Sequence, residues 1–107
     1  MKVKATRFDA ADYLKTPEDC AYFLTDALET NDPAQIAQAL GVLARARGMS
    51  EVAKRTGLSR EGLYKVLGDR GNPEIATILR ILQVLDLKLV AQPTKAKRKA
   101  AAARKAA

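Results

Sequence analysis

Arg60, Glu61, Tyr64 and Lys65 fall within six consecutive positions. On a helix such spacing puts all four on one outward face. An arginine there can donate two bonds to guanine O6 and N7, the commonest specific contact with a base edge. Glu61 has two uses: it can accept from cytosine N4, or it can orient Arg60. Tyr64 and Lys65 stand one turn further along. Arg47, Lys54, Arg55 and Arg70 suit phosphates better than bases, and Ser50 and Ser59 are placed to cap helices whose N-termini then meet phosphate. The chemistry is therefore that of a duplex-reading surface, with base contacts from Arg60, Glu61, Tyr64 and Lys65. The alternative for each is a solvated surface charge.

Other chemistry has little to work with. Histidine is absent, which removes the commonest general base and the commonest metal ligand. No metal-ligand spacing or glycine-rich phosphate loop appears, so neither an enzyme nor a bound cofactor is expected. The single Cys20 rules out an internal disulfide and lies on an apolar helical stripe, so it reads as a core residue. No apolar run approaches the roughly 20 residues of a membrane span. Together with one cysteine and no signal peptide, this points to the cytoplasm.

The elements that must hold the outward row are two short helices and a tight turn. Ser50 is expected to cap a helix over about 51–56. Gly57 makes the turn, because that position requires positive φ. Ser59 caps the second helix, which runs to about Leu67. Ala53 is small where the second helix crosses the first, and Val52, Leu58, Leu63 and Val66 have the spacing to hold the pair together. These features predict a helix-turn-helix over residues 50–67. Thr56 is off-pattern, standing where an aliphatic is usual. Gly62 costs about 1 kcal/mol of helix propensity relative to Ala, and leaves room for close backbone approach.

The flanking chain reads as more helix. Asp9 can cap one turn to Leu14. Thr16-Pro17-Glu18-Asp19 is a start signal with a capping box and Pro at the first helical position. The stripe Cys20, Phe23, Leu24, Ala27, Leu28 follows, and Asn31-Asp32-Pro33 ends that helix and caps the next. Over 33–47, Ile36, Ala37, Leu40, Leu43 and Ala44 form the buried face, and Gly48 supplies a left-handed end. Gly68 and Gly71 bracket a loop. Asn72-Pro73 starts a last helix with Ile75, Ile78, Leu79, Leu82 and Leu85 inward. Leu87-Lys88-Leu89-Val90 alternates and predicts a short strand. Leu85, Leu87, Leu89 and Val90 either form a dimer surface or close the monomer's own core.

The 107 residues suffice for one domain with an aliphatic core, since only 5% are aromatic. The fold class is all-α: a compact bundle of about five helices, a C-terminal strand and a tail. Residues 1–32 form an acidic segment and helix packed on the core, 33–92 the DNA-binding domain, and 93–107 a Lys/Ala-rich tail expected to be disordered. The net charge of +7 is unevenly spread. Residues 9–32 hold seven acids against Lys15, whereas 45–70 hold seven bases against three acids, and the tail has six bases and no acid. Two surfaces with different partners follow.

From Met49 to Val90 the order of elements resembles the phage-repressor (XRE/Cro-like) helix-turn-helix family. A closer likeness rests on Phe8-Asp9-Ala10-Ala11-Asp12-Tyr13-Leu14, Ala44-Arg45-Ala46-Arg47-Gly48-Met49-Ser50, Gly57 to Lys65, and Gly71-Asn72-Pro73. Across about residues 7–92 the chain resembles the addiction-module antidote family, HigA-like bacterial antitoxins. The resemblance implies operator binding with repression of the protein's own operon. It also implies neutralisation of a RelE/HigB-like toxin, typically a basic RNA-cleaving protein, which the acidic first third would fit. Such modules normally act as homodimers, so that two helices meet successive major grooves. The competing readings are a stand-alone regulator, a protein-interaction module with an incidental basic middle, and a sequence-blind binder driven by the tail.

Overall fold

A computed structural model describes residues 10–68 and 71–94. Within them a 3-10 turn (Ala10–Tyr13) precedes five helices: α1 (Pro17–Glu29), α2 (Pro33–Arg47), α3 (Met49–Thr56), α4 (Arg60–Val66) and α5 (Ile75–Val84). The largest fully buried side chains are Leu40, Leu43, Leu63, Ile81, Leu82 and Val52, an aliphatic set drawn from α2, α3, α4 and α5. Helix α2 is the hub: α1, α3 and the 3-10 turn pack on it. Asp9, Arg70 and the basic tail beyond Thr94 lie outside the described residues, so the cap expected of Asp9 and the disorder expected of the tail do too.

Helix α1 starts as its sequence dictates. Thr16 Oγ1 accepts from the Asp19 N–H at 3.1 Å, and the Asp19 carboxylate accepts from the Thr16 N–H at 3.3 Å, with Pro17 in the first turn. Cys20 and Leu24 are buried, and Phe23, Ala27 and Leu28 pack against the core while staying partly open. The helix ends on Asn31 at φ 54°, a left-handed residue that asparagine tolerates. Thr30 Oγ1 donates to Ala27 O at 2.6 Å and accepts from the Asp32 N–H at 3.1 Å, so one hydroxyl closes the helix end. Asp32 then caps α2 by accepting from the Ala34 N–H at 3.0 Å.

Three expectations need correction. The first concerns Ser50, which does not cap α3. Gly48, at φ 114° and ψ 113°, takes the corner alone; its N–H donates to Ala44 O and its carbonyl accepts from the Val52 N–H. The helix therefore begins at Met49, which is buried, and Ser50 is an exposed residue of its first turn. Gly48's ψ also lies outside the left-handed helical well that a usual C-terminal glycine occupies.

Second, α5 begins at Ile75, with Asn72 to Glu74 outside it. Its phase buries Ile81, Leu82, Val84 and, just past its end, Leu85, leaving Ile75 60% and Leu79 45% exposed. The segment is apolar on nearly every face, so periodicity alone could not choose which stripe turns inward.

Third, no strand forms at Leu87–Val90 among the described residues. The Leu87 N–H donates to Leu82 O at 2.8 Å and the Asp86 N–H to Gln83 O at 3.2 Å, with Asp86 left-handed at φ 61°. That is a Schellman end to α5. Leu87 packs against the core as part of this cap, and Leu89 and Val90 are exposed. Leu85 and Leu87 thus belong to the monomer's own core.

Candidate nucleic-acid interface

Helices α3 and α4 share one plan. In α3, Met49, Val52, Ala53 and Thr56 are buried while Ser50, Glu51, Lys54 and Arg55 are exposed. In α4, Leu63 is fully buried while Arg60, Glu61, Tyr64 and Lys65 are exposed. Each short helix is pinned by its inner residues and turns two adjacent pairs, one turn apart, to solvent.

The turn between them is built from local chemistry. Gly57 sits at φ 81° and ψ 7°, in the left-handed well, and its N–H donates to Ala53 O at 3.0 Å. Thr56, the off-pattern residue, is buried, and its hydroxyl is satisfied. It donates to Val52 O at 2.7 Å, with Ala53 O a second acceptor at 3.3 Å, and lies 3.4 Å from the Leu58 N–H. An aliphatic there would pack; threonine packs and also links the last turn of α3 to the first residue after Gly57. That role was not legible from the motif.

Ser59 Oγ accepts from the Gly62 N–H at 2.9 Å and caps α4. A Cβ on Gly62 would lie 3.1 Å from that same Oγ, so glycine at 62 leaves space for the cap. Gly71 is more constrained, since a Cβ there would collide with the Val66 carbonyl. Gly71 therefore lies directly against the last residue of α4, which only glycine permits.

The phosphate candidates divide. Lys54 and Arg55 are exposed on α3, with Arg55 held 3.4 Å from Glu51 one turn back. Arg47, at the end of α2, lies 3.3 Å from the Asp86 carboxylate and ties α2 to the cap of α5. Ser59 commits its oxygen to the cap, and Arg70 is outside the described residues. Cys20 is buried at 8% exposure, and its thiol is pushed above the ordinary range. Burial is the main cause, the Asp19 carboxylate adds to it, and the Arg47 guanidinium opposes it.

A family model described as "probable addiction module antidote protein" matches residues 4–93. An uncharacterized protein of Haemophilus influenzae is 40% identical over 88 residues, covering 82% of this chain and 91% of the relative. No solved structure matches. No helix among the described residues is long and apolar enough to cross a membrane. The match spans every described helix and most of the chain, and the chain belongs to the addiction-module antidote family.

Proposed function

We propose that this chain is a cytoplasmic, sequence-specific DNA-binding repressor that also serves as the antitoxin of its module, neutralising a RelE/HigB-like toxin and regulating its own operon. One observation carries the DNA-binding half. Arg60, Glu61, Tyr64 and Lys65 all face solvent on a seven-residue helix anchored by the buried Leu63 and set off from α3 by the left-handed Gly57. That is the arrangement a helix-turn-helix needs for its second helix to enter the major groove. In this reading Arg60, Glu61, Tyr64 and Lys65 meet base edges. Lys54, Arg55, Ser50 and Arg70 meet phosphates, Ser59 holds the N-terminus of α4 in shape, and Arg47 is the weaker phosphate candidate because Asp86 already engages it. One such helix reads few base pairs, so a homodimer is part of the proposal. The exposed Ile75, Leu79, Leu89 and Val90 are apolar surface available to that contact. The antitoxin half rests on membership of the antidote family, which implies a toxin partner of some kind.

The test separates reading from gripping. Binding of Arg60→Ala and Lys54→Ala is measured by fluorescence anisotropy against the chain's own promoter DNA and against random duplex. Arg60→Ala is expected to cost about 1–3 kcal/mol on the specific site and little on random DNA, whereas Lys54→Ala weakens both alike. Equal losses from both substitutions on both duplexes would remove α4 from the role of reader.

A further inference from the structure

Phe23 and Ala27 belong to the apolar stripe of α1, yet neither is fully buried. They form one wall of a groove of about 610 Å³ between α1, α2 and α4. Val42 and Met49 line it too, with Asp26 on the α1 lip and Tyr64 of α4 on the opposite side. A second cleft of about 580 Å³ lies between α1 and residues 87–94, with Lys88 on its wall, so the groove beside Phe23 is the one whose α1 side carries an acid opposite α4.

The charge on its walls selects an occupant. Asp26 is the one carboxylate among the residues that line the groove, and it belongs to a helix that also carries Glu18, Asp19 and Glu29 and no lysine or arginine. Arg45 stands on the α2 wall, so the cationic part of an occupant must lie along α1. A duplex is repelled by so acidic a helix, and a two-fold contact of α1 with α1 of a second copy would set like charges together. We infer that this groove is the seat of the module's protein partner. It takes a basic segment that inserts an apolar side chain over Phe23 and Ala27 and sets a lysine or arginine beside Asp26. The inference rests on the antitoxin half of the proposed function and names the surface that performs it.

The probe is the protein encoded by the open reading frame adjacent to this chain's own, titrated against the full chain by isothermal calorimetry. Asp26→Lys reverses an exposed charge on the groove lip. Glu29→Lys makes the same charge change one turn away on α1, outside the groove, and circular dichroism checks that both variants fold. Asp26→Lys is expected to weaken binding about tenfold or more, and Glu29→Lys less than about threefold. Equal losses would mean that the acidity of α1 acts at a distance, and the groove assignment fails. Unchanged affinity in both variants puts the partner elsewhere and also overturns it. If the unaltered chain does not bind the probe, the antitoxin half falls first and the groove assignment with it. If the chain instead sediments as a dimer that Asp26→Lys dissociates, the groove is a contact between copies and the partner assignment is wrong.

Discussion

Helix α1 and the pair α3–α4 pack on the same central helix and differ in how they carry charge. Helix α1 has four carboxylates and no base. The pair has Lys54, Arg55, Arg60 and Lys65, with Glu51 and Glu61 interleaved, and Glu51 already engages Arg55. The basic surface is partly tempered by its own acids, while the acidic one has no base within its helix. Interleaving suits a surface that must discriminate among polar edges, since a purely cationic helix would grip any phosphate chain. An unmixed acidic wall suits a partner recognised largely by its own positive charge. The difference shows that a net charge of +7 says little about a small domain until it is divided by face.

The largest blow to this contrast is a cavity beneath both faces. Leu40 is fully buried on α2, which carries α1 on one side and α3 on another. Leu40→Ala is expected to cost about 2–5 kcal/mol. Urea unfolding followed by far-ultraviolet dichroism and by tyrosine fluorescence should shift as a single transition. Separate midpoints would show that the two faces belong to independently folding parts.

Caps allow the faces to be weakened one at a time. Thr16→Ala removes the capping hydroxyl of α1, and Ser59→Ala removes that of α4. Each is expected to cost about 1 kcal/mol in thermal or urea unfolding. Their binding effects should diverge: Ser59→Ala lowers affinity for promoter DNA more than for the adjacent-gene protein, and Thr16→Ala does the reverse. Parallel losses in both assays would mean that the two surfaces are not distinct.

The smallest effect is on pH dependence. Folding raises the Cys20 thiol above its ordinary range, chiefly through burial. A raised thiol stabilises the fold in full at pH below its unfolded value, and that contribution is lost as pH rises through the folded value. The stability gap between the unaltered chain and Cys20→Ala should therefore narrow from neutral pH into the alkaline range. A gap that widens there would show that the folded state holds a thiolate.

Much of this arrangement was legible in the chain. The start of α1, the cap of α2, the turn at Gly57 and the cap at Ser59 are local chemistry, carried by residues whose side chains or φ angles act within four positions. What failed depends on neighbours distant in sequence. Ile75 and Leu79 looked as inward as Ile78 and Leu82, and only the packing of α5 against α3 decided among them. Leu87 looked like the start of a strand because its alternation is real, but a strand needs a partner, and the Leu82 carbonyl at the end of α5 was closer. Ser50 looked like a cap, but Gly48 makes the corner two residues earlier and draws Met49 into the core. The outward row was readable from spacing. The groove was not, because Phe23 and Ala27 have the periodicity of core residues and nothing local says that they stay uncovered.

The ring of Tyr64, half exposed, belongs to the outward row of α4 and also borders the groove beside α1. Two ligands that meet a common side chain are thermodynamically linked, and the coupling is reciprocal. On the proposed function, a guest in the groove that draws the phenol inward would loosen promoter binding by the same factor by which the promoter loosens the guest's hold. If it instead braces the ring outward, each tightens the other. On that function, a single aromatic at the junction of two walls would be enough for occupancy at one surface to tune the other, without any movement of the helices.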